Sequence, residues 1–422
     1  MTVYWLDDEA TKGGCRLPRT VTVKVRPAKD APWQAVEGAT VEIAKDRPCA
    51  IRLPKAVTAQ AIRLEIVLSP DVSAGLLGWS LAGAPPAAVP PEKMKEIYET
   101  VKTPYKRGMV LTPEKGEMLD NPSVFRHKDA WYMIFIRFDG KGYETHLAKS
   151  DDLVRWQRLG CIFQRGEKGA WDASQADGWP SLADTRWDGP NTLNTFNGRY
   201  WMMYLGGAKD GYETDPLSTG VAWTDDPSAV KQWTRCAGNP VLQSSDPAAR
   251  AFERATIYKH FTVEDPSRAC GGRFVNFYNA ADKVSHREAI GMAVSDDMLH
   301  WRRVGDVPVI ENGDPKKHSI SGDPMFRRIG DLWVMFYFGY QWRPGGAFDT
   351  FACSYDLKHW TKWDGEPLIK PSADFDRGHA HKPWVLKHDG VVYHYYCAVG
   401  SKGRGIALAT SSPTAPAEPL RE

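Results

Sequence analysis

Four stretches of the chain share one pattern: NPSVFRHKDAWYMIF (121–135), GPNTLNTFNGRYWMMY (189–204), DPMFRRIGDLWVMFYFG (323–339) and KPWVLKHDGVVYHYY (382–396). Each opens with a strand near a Pro, passes through a short turn and ends in a strand rich in aromatic residues. A more divergent fifth copy is ATIYKHFTVEDPSRACGGRFVNFY (255–278). Repeats at this spacing, with about four strands in each, are typical of a β-propeller. The sequence therefore predicts an all-β chain with a five-bladed propeller, its first strands opening near 121, 189, 255, 323 and 382.

A second repeated signal ends in Trp: SDDLVRW (150–156), TDDPSAVKQW (224–233), SDDMLHW (295–301) and SYDLKHW (354–360). Because this Trp recurs at one position, we interpret it as blade core rather than as a sugar platform. Gly-His and Trp-Asp dipeptides do not recur at one position of the repeats, which argues against a WD-type propeller, and an all-β sandwich is the other alternative. The last repeat stops early, at 406–409. Residues near 107–112 are therefore expected to supply its outer strand and close the ring.

The regions outside the repeats predict the domain organisation. Residues 1–84 alternate apolar and polar positions, as in 21–25 and 62–68, which predicts a small β-sandwich. Residues 85–104 predict a Pro-rich linker and a short helix, PEKMKEIYETV. The propeller would span 105–411, and 412–422 has the composition of a disordered tail.

Composition excludes several classes of function. Fifty-four Lys and Arg against fifty-two Asp and Glu give a net charge of +2, without a long basic run, so nucleic acid is not an expected partner. The apolar stretches stay below the roughly 18–20 residues of a membrane span. The seven Cys form no CxxC pair, so we expect mostly buried free thiols rather than a zinc site or disulfide scaffold. The first residues, MTVYWLDDEA, do not resemble a signal peptide, so a secreted or periplasmic location is expected only if a leader has been removed.

Aligning the repeats on the Pro, or on Ala255 in the third, predicts which residues meet at the channel. Two places before it stand Asp120, Asp188, Glu253 and His381, with Gly322 in the fourth repeat; one place before it stand Asn121, Gly189, Arg254, Asp323 and Lys382. The innermost strands of a propeller line its channel, so these residues would converge. Clustered carboxylates cost stability unless a function, a cation or shifted pKa values compensate. We therefore expect glycoside hydrolysis by a pair of carboxyl groups, without a required cofactor. Alternatively, the acids bind a structural divalent cation in the central channel.

Other residues are secondary candidates. His379 and His381 would share one face of a strand, as hydrogen-bonded channel residues, metal ligands or proton donors. The rim loops after the second strands carry Glu144, Arg287, Glu288, Asp349 and Arg404. Trp187, Trp342 and Trp384 lie near strand entrances or loops and are predicted to stack on a sugar face.

The segments DNPSVF, WDGPNTL, SGDPMF and HAHKPWV, each followed by a strand with a G-x-W/Y start, resemble the five-bladed propeller glycosidases of glycoside hydrolase families 43, 32 and 117. In the arabinanase and xylosidase family, the base lies in a D-P motif of the first blade and the acid in an E-G-P motif of the third. Here the similar motifs are Asp120-Asn121-Pro122 and Asp188-Gly189-Pro190, in the first and second repeats. The family that removes anhydrogalactose has an Asp in the first blade, an Asp in a late blade and a His in the last blade. Asp120, Asp323 and His381 match this pattern.

The first 84 residues resemble the later strands of a discoidin-like sugar-binding sandwich, through VYWLDDEATKGGCRLP and AIRLEIVLSPDVSAGLLGW. About half of such a domain has no counterpart here. The resemblance implies either sugar binding or a packing role for this region.

Together these expectations describe an exo-acting glycoside hydrolase on terminal sugars of plant or algal polysaccharides, of the arabinofuranoside or anhydrogalactoside class. Inversion is expected because a wide channel mouth leaves room for water. Asp120 is the expected base or nucleophile, Asp323 is the carboxylate that orients the substrate or tunes its partner, and Glu253 or Asp188 is the acid, with His381 as the alternative donor. The expected substrate-binding residues are His379, His381, Asn121, Arg254, Lys382, Trp187, Trp384, Glu144, Arg287 and Asp349.

Two alternatives stay open. One is a carbohydrate-binding propeller without turnover. The other is a phosphorylase of similar fold, which would need basic residues such as Arg254, Lys382 and His379 for phosphate. The sequence makes no prediction of the oligomeric state.

Overall fold

A computed structural model describes residues 1–27, 31–45, 47–55, 57, 59, 61–80, 88–314 and 316–413. The chain divides into two compact units, one of residues 1–87 with 265–273 and one of residues 88–264 with 274–422. Most of the expected tail (414–422) and the first part of the expected linker (85–87) lie outside the described residues.

The first unit contains two β-sheets. Its strands are β1 (Thr2–Leu6), β2 (Thr20–Arg26), β3 (Gln34–Ala35), β4 (Thr40–Val41), β5 (Pro48–Arg52), β6 (Ala61–Val67) and β7 (Gly75–Ser80). One sheet has the order β4-β5-β1-β7 and the other β3-β2-β6. Alternate side chains such as Val3, Trp5 and Val23 form a common buried cluster with Cys49 and Ile51, as period-two strands with one buried face require.

The second unit begins with one helix, α1 (Pro91–Val101), in the segment where the sequence predicts it. Pro91 occupies the first helical position, where its missing N–H costs nothing. Met94, Ile97 and Val101 lie three and four residues apart and are buried along one side. Among the described residues, no helix is long and apolar enough to cross a membrane.

In the described part of the chain, twenty strands follow the helix and form five blades. They are β8 (Tyr105–Leu111), β9 (Met118–His127), β10 (Ala130–Phe138), β11 (Tyr143–Ser150), β12 (Gln157–Phe163), β13 (Gln175–Pro180), β14 (Tyr200–Gly207), β15 (Ser218–Thr224), β16 (Thr234–Arg235), β17 (Thr256–Glu264), β18 (Phe274–Ala281), β19 (Glu288–Ser295), β20 (Arg302–Arg303), β21 (Ile320–Ile329), β22 (Leu332–Tyr340), β23 (Phe348–Ser354), β24 (Thr361–Lys362), β25 (His379–His388), β26 (Val391–Gly400) and β27 (Gly403–Thr410). Four blades are β9–β12, β13–β16, β17–β20 and β21–β24, and the fifth has the order β25-β26-β27-β8. The prediction of an all-β, five-bladed propeller is confirmed.

The ring closes as the repeat predicts. Strand β8 pairs antiparallel with β27, with Tyr105 opposite Thr410 and Leu111 opposite Ile406. The outer edge of the last blade is therefore paired by the start of the unit, which removes an open sheet edge.

The repeated residues Trp156, Trp301 and Trp360 are half-buried, and Trp156 and Trp360 pack where neighbouring blades meet. The indole N–H groups of Trp156, Trp301 and Trp360 donate to the carbonyl three residues earlier, at 3.3, 2.9 and 3.0 Å. Trp360 also packs against Phe277 and Phe326, with ring centroids 6.2 and 5.7 Å away. These contacts agree with a packing role.

The predicted register of the second blade is wrong. Its first strand is β13, which begins at Gln175 rather than near 189. The segment QADGWP has no alternating pattern and no Pro at its opening, whereas the following loop contains Pro190 and imitates the repeat.

The loop 181–199 lies across the far end of the channel, where the first strands of the blades end. Its backbone accepts from the N–H groups of Arg126 and Arg328, at 2.8 and 2.6 Å, and the N–H of Leu182 donates to Thr262 at 3.1 Å. The loop therefore covers that end of the channel.

All seven Cys are free, and Cys49, Cys270, Cys353 and Cys397 are buried. The expectation of mostly buried thiols is confirmed.

Candidate active site

Four first strands carry a β-bulge near their opening. The bulged residues are Asn121, Lys259, Asp323 and Lys382, with φ angles of 51°, 54°, 52° and 66°. The register of each strand against its neighbour shifts at this point. Left-handed φ angles are uncommon for residues with side chains, and bulges next to active sites re-aim side chains. All four residues line a narrow cavity of about 20 Å³ in the channel.

The bulges also correct the alignment of the third blade. Lys259, not Arg254, takes the place of Asp323 and Lys382 in that blade. The predicted acid Glu253 lies before the strand, in a 3-10 turn at Ala251–Glu253. It is fully buried, and its carboxylate accepts from Arg250 Nε at 3.0 Å, from Arg303 Nε at 2.8 Å and from the Tyr278 hydroxyl at 2.5 Å. Glu253 therefore holds a buried ion-pair network and does not line the channel.

We expect Glu253→Gln to destabilise the fold by about 3–5 kcal/mol, because removing one partner of a buried ion pair leaves the other charges uncompensated. Thermal unfolding measures this loss, and kcat of the folded enzyme should stay unchanged. Asp246→Asn is the matched control, since this second partner of Arg303 is 28% exposed and its loss should cost less. A fall in kcat without a fall in Tm would restore Glu253 as a catalytic candidate.

A cavity of about 170 Å³ forms the mouth of the channel. Its lining residues are Tyr212, Glu213, Tyr258, Lys259, Glu288, Ile320, Asp323, Phe338, Tyr340, Ala347, His379, His381, Lys382 and Arg404. Because the far end of the channel is covered, this cavity opens on one side only. We call it the active-site pocket.

Glu213 is a pocket residue that the sequence argument did not select. It lies in the loop between β14 and β15. Its Oε1 lies 2.7 Å from Lys259 Nζ and 3.3 Å from Lys382 Nζ, and accepts from the Tyr143 hydroxyl at 3.1 Å. Oε2 has no hydrogen-bond partner among the described residues. Burial opposes ionisation, but the two lysines outweigh it and lower the pKa of Glu213 to about 2.

Glu288 is the second carboxyl group of the pocket, at the start of β19. Burial raises its pKa to about 8, against the opposing hydrogen bond from Tyr258, and the negative charge of Glu213 raises it further. Glu288 is therefore protonated at neutral pH while Glu213 is ionised.

Asp120 lies directly behind the pocket wall and is 1% exposed. Its Oδ2 accepts from Lys382 at 2.7 Å, from Arg404 at 2.8 Å and from the Tyr212 hydroxyl at 3.1 Å, and its Oδ1 from the Asn121 N–H at 3.0 Å. Despite its burial, these cations hold the pKa of Asp120 well below its usual value. With both oxygens occupied, Asp120 is placed to position Lys382 and Arg404 rather than to attack a sugar.

Asp323 does line the pocket. Its backbone N–H donates to Asn279 Oδ1 at 2.8 Å, and its Oδ1 accepts from Asn279 Nδ2 at 3.3 Å. Its buried Oδ2 has no hydrogen-bond partner among the described residues. Burial raises the pKa of Asp323, so this oxygen can exchange a hydrogen bond with a substrate hydroxyl.

His379, His381 and Arg404 present a defined set of donors and acceptors. The Ala347 N–H donates to His379 Nδ1 at 3.0 Å, so the ring proton is on Nε2. His381 Nδ1 donates to the Cys397 carbonyl at 3.2 Å, so its Nε2 is an acceptor when the ring is neutral. Burial and the charge of Arg404 lower the pKa of both rings. Only Nη1 of Arg404 has partners among the described residues, which leaves Nε and Nη2 for a substrate.

Two predicted residues lie at the opposite end of the channel. Asp188 is exposed and pairs with Lys387 at 2.6 Å, and the N–H of buried Trp187 donates to the Arg328 carbonyl at 3.0 Å. Both belong to loop 181–199, so the prediction that Asp188 and Asp120 converge is wrong. The prediction that Trp187 stacks on a sugar at the channel mouth is also wrong.

Other predicted residues lie around the pocket without lining it. Trp384 is 2% exposed in the channel wall, and its indole donates to the Val124 carbonyl at 2.9 Å. Asp349 is fully buried and bonds to His394 Nε2 at 3.0 Å. Glu144 lies on β11 beside Arg165, at 3.3 Å. Arg254 and Arg287 line a separate groove.

Lys259 and Lys382 bring two positive charges to the channel axis, 3.5 Å from Asp177 and 2.7 Å from Asp120, respectively. A divalent cation beside two ammonium groups would be repelled, so the axis does not fit such an ion. Of the acids at the axis, Asp120 is paired with Lys382 and Arg404, whereas burial raises the pKa of Asp177 and of Asp323.

A propeller with one protonated and one ionised carboxyl group in a closed pocket has the parts of an enzyme that cleaves glycosidic bonds. No family model matches the chain. A solved structure of a complex between BT0996 and RGII is 41% identical, with a TM-score of 0.74, and the match covers 78% of this protein and 97% of that one. A second, described as "Glycoside hydrolase", is 40% identical, with a TM-score of 0.75 and coverage of 79% and 99%.

Among curated relatives, the fructan 1-exohydrolase of Triticum urartu is 25% identical over 227 residues, which is 52% of this chain and 34% of that protein. The chain thus spans about a third of the length of this relative. The two solved structures are matched over nearly their whole length at 40% identity or more. The chain belongs to the glycoside hydrolases.

Proposed function

We propose that the protein is an exo-acting glycoside hydrolase in which Glu288 is the general acid and Glu213 is the carboxylate that attacks the sugar. The opposite pKa shifts of these two carboxyl groups in one pocket carry this proposal. Glu288 gives its proton to the leaving oxygen as the glycosidic bond breaks. Glu213 Oε2 bonds to the anomeric carbon while Lys259, Lys382 and Tyr143 hold Oε1. Water, deprotonated by Glu288, then attacks the same carbon, breaks the bond to Glu213 and releases the sugar.

The dimensions of the pocket support removal of one terminal sugar at a time. About 170 Å³ equals the space of five or six waters at roughly 30 Å³ each, which is too small for a chain of several sugar units. The pocket is closed below, so a chain cannot pass through it. The name of the fructan 1-exohydrolase relative supports the same exo mode.

The substrate we propose is a terminal furanoside or anhydrogalactoside of a plant or algal polysaccharide. Hydrolysis of a panel of nitrophenyl furanosides and pyranosides tests this, with RGII included because the BT0996 structure, at 41% identity, is a complex with it. Release of a single sugar from one of these substrates is the expected result. Hydrolysis of internal linkages only would contradict the exo mode.

A phosphorylase is the second candidate, because Lys259, Lys382, Arg404 and two His residues border the pocket. However, Asp120, Asp177 and Glu213 already pair with both lysines. We therefore expect cleavage without phosphate. Running the same panel with and without inorganic phosphate decides the question, since a phosphorylase yields a sugar phosphate only when phosphate is present.

The pH dependence should be one-sided. Glu288 donates only when protonated, so kcat/KM should fall about tenfold per pH unit above its pKa of about 8. The pKa of Glu213 is about 2, so this carboxylate stays ionised between roughly pH 4 and 7. We therefore expect no fall in kcat/KM on the acidic side over that range. Tyr258→Phe removes the hydrogen bond that lowers the pKa of Glu288 and should move the limb to higher pH. A limb that persists in Glu288→Gln would belong to another group.

We expect retention of anomeric configuration rather than the inversion predicted from the sequence. Inversion needs room for a water between carboxylate and sugar, but the pocket holds little more than one sugar. A carboxylate with a pKa of about 2 is also a weak base for water. Proton NMR of the first product formed distinguishes the two outcomes, and an inverted anomer would make Glu213 a general base.

A further inference from the structure

A groove of about 1150 Å³ lies beside the third blade, and none of the steps above uses it. Its walls come from the segment 244–254, the segment 282–289 and Lys316. These segments lead into β17, β19 and β21, whose first residues include the pocket residues Lys259, Glu288 and Asp323. The groove therefore opens on the same face as the active-site pocket.

The groove adjoins the acid side of that pocket across one strand end. Arg287 and Ala289 line the groove and Glu288 between them lines the pocket, so the two cavities lie on opposite sides of the start of β19. A general acid protonates the oxygen of the leaving group, so the leaving part of the substrate must lie on the side of Glu288. The groove, with about seven times the volume of the pocket, has room for several sugar units there.

The groove carries uncompensated positive charge. Arg254, Lys283 and Lys316 are exposed and form no ion pair with the residues that the structure describes. Within the described part of the chain, Arg254 donates to the Asp246 carbonyl alone, at 3.2 Å. The one acid in the wall, Asp282, accepts from the N–H groups of Val284 and Ser285, both at 2.8 Å, so its carboxylate organises its own loop.

We propose that this groove binds the leaving-group chain of the substrate and selects glycans that carry anionic groups, carboxylate or sulfate. The inference rests on the proposed function, because the role of Glu288 assigns the leaving group to this side. Exposed cations on the rim of a groove attract an anionic chain without fixing one sugar identity, and salt weakens that attraction.

Calorimetric titration with three oligosaccharides tests the proposal: an oligogalacturonate for carboxylate, a carrageenan oligosaccharide for sulfate and an uncharged galactan oligosaccharide. The variant Arg254→Gln/Lys283→Gln/Lys316→Gln should bind one or both anionic probes about tenfold more weakly than wild type at low salt, given the usual strength of exposed ion pairs. The difference should shrink in about 0.5 M salt, and binding of the galactan should not change. The anionic probe that loses affinity identifies the selected group.

The matched control for Lys283→Gln is Lys402→Gln. Lys402 is exposed in the hairpin between β26 and β27, on the same face but outside the groove. Equal effects of the two single substitutions would overturn the proposal, as would equal affinity of wild type and triple variant for every probe.

A nitrophenyl leaving group is a single ring and does not fill the groove. The triple variant should therefore hydrolyse the nitrophenyl substrate with wild-type kcat/KM, which separates the groove from the chemistry. Loss of this activity at unchanged Tm would overturn a role limited to the leaving-group chain. If wild type hydrolyses no glycoside but loses anionic binding in the triple variant, the proposed function fails and the anion selectivity of the groove stands.

Discussion

Replacing Glu288 by Gln should lower kcat on a natural glycoside by about 10²–10⁴-fold, the usual contribution of a positioned general acid. Gln keeps the shape and the hydrogen-bonding capacity beside Tyr258 but has no acidic proton. Steady-state kinetics on a substrate whose leaving group is a sugar measures the loss.

A glycosyl fluoride provides the control, because fluoride leaves without a proton from Glu288. The variant should release the first equivalent of fluoride at a rate close to wild type, whereas steady-state turnover stays slow because Glu288 also activates the water that cleaves the glycosyl-enzyme. Equal losses in the first turnover of both substrates would mean that Glu288 does not act as the acid.

Replacing Glu213 by Ala should have the largest effect of any single substitution, at least about 10⁴-fold in kcat, because it removes the group that forms the new bond. Added azide should restore turnover by occupying the vacated space. In a retaining enzyme azide attacks from the side of the missing carboxylate and gives a glycosyl azide of inverted configuration. NMR of that product confirms the face of attack, and failure of azide to restore turnover or form this product would contradict the assignment.

Asp120→Asn is the matched comparison for Glu213. Both carboxylates pair with Lys382, at 2.7 and 3.3 Å, so each substitution removes charge from the same buried cation. We expect Asp120→Asn to lower Tm by leaving Lys382 and Arg404 less compensated, with a much smaller loss of kcat. Equal losses of kcat at unchanged Tm would instead support the sequence-based assignment of Asp120 as base or nucleophile.

The blades were predictable because every blade must solve the same packing problem. The aromatic second strands fill equivalent positions in the blades, and the recurring Trp156, Trp301 and Trp360 each donate to the carbonyl three residues earlier. The closing strand β8 followed from the short last repeat. The second blade was misaligned because its first strand, Gln175–Pro180, lacks the shared pattern, whereas loop 181–199 imitates it.

The candidate site was harder to predict because active-site residues differ between blades and so do not repeat. Asp323, His381 and Lys382 were found through strand register, and Glu288 through its rim loop. The same rim-loop argument applies to the second blade, where the loop after YWMMYLGG carries Tyr212 and Glu213. Lys259 had no such signal, because the bulge that aims it at the axis lies inside a divergent strand.

The loop 181–199, which covers one end of the channel, also sets the order of events in a catalytic cycle. A sugar held at the bottom of a pocket with one mouth can leave only after the rest of the chain has moved away from that mouth. In the exo mode proposed above, the enzyme must therefore release the shortened polymer before it releases the monosaccharide, and it cannot slide along one chain from cut to cut. Accumulating monosaccharide would compete directly with fresh chain ends for the empty pocket, so a rise in free sugar slows degradation without a separate regulatory site.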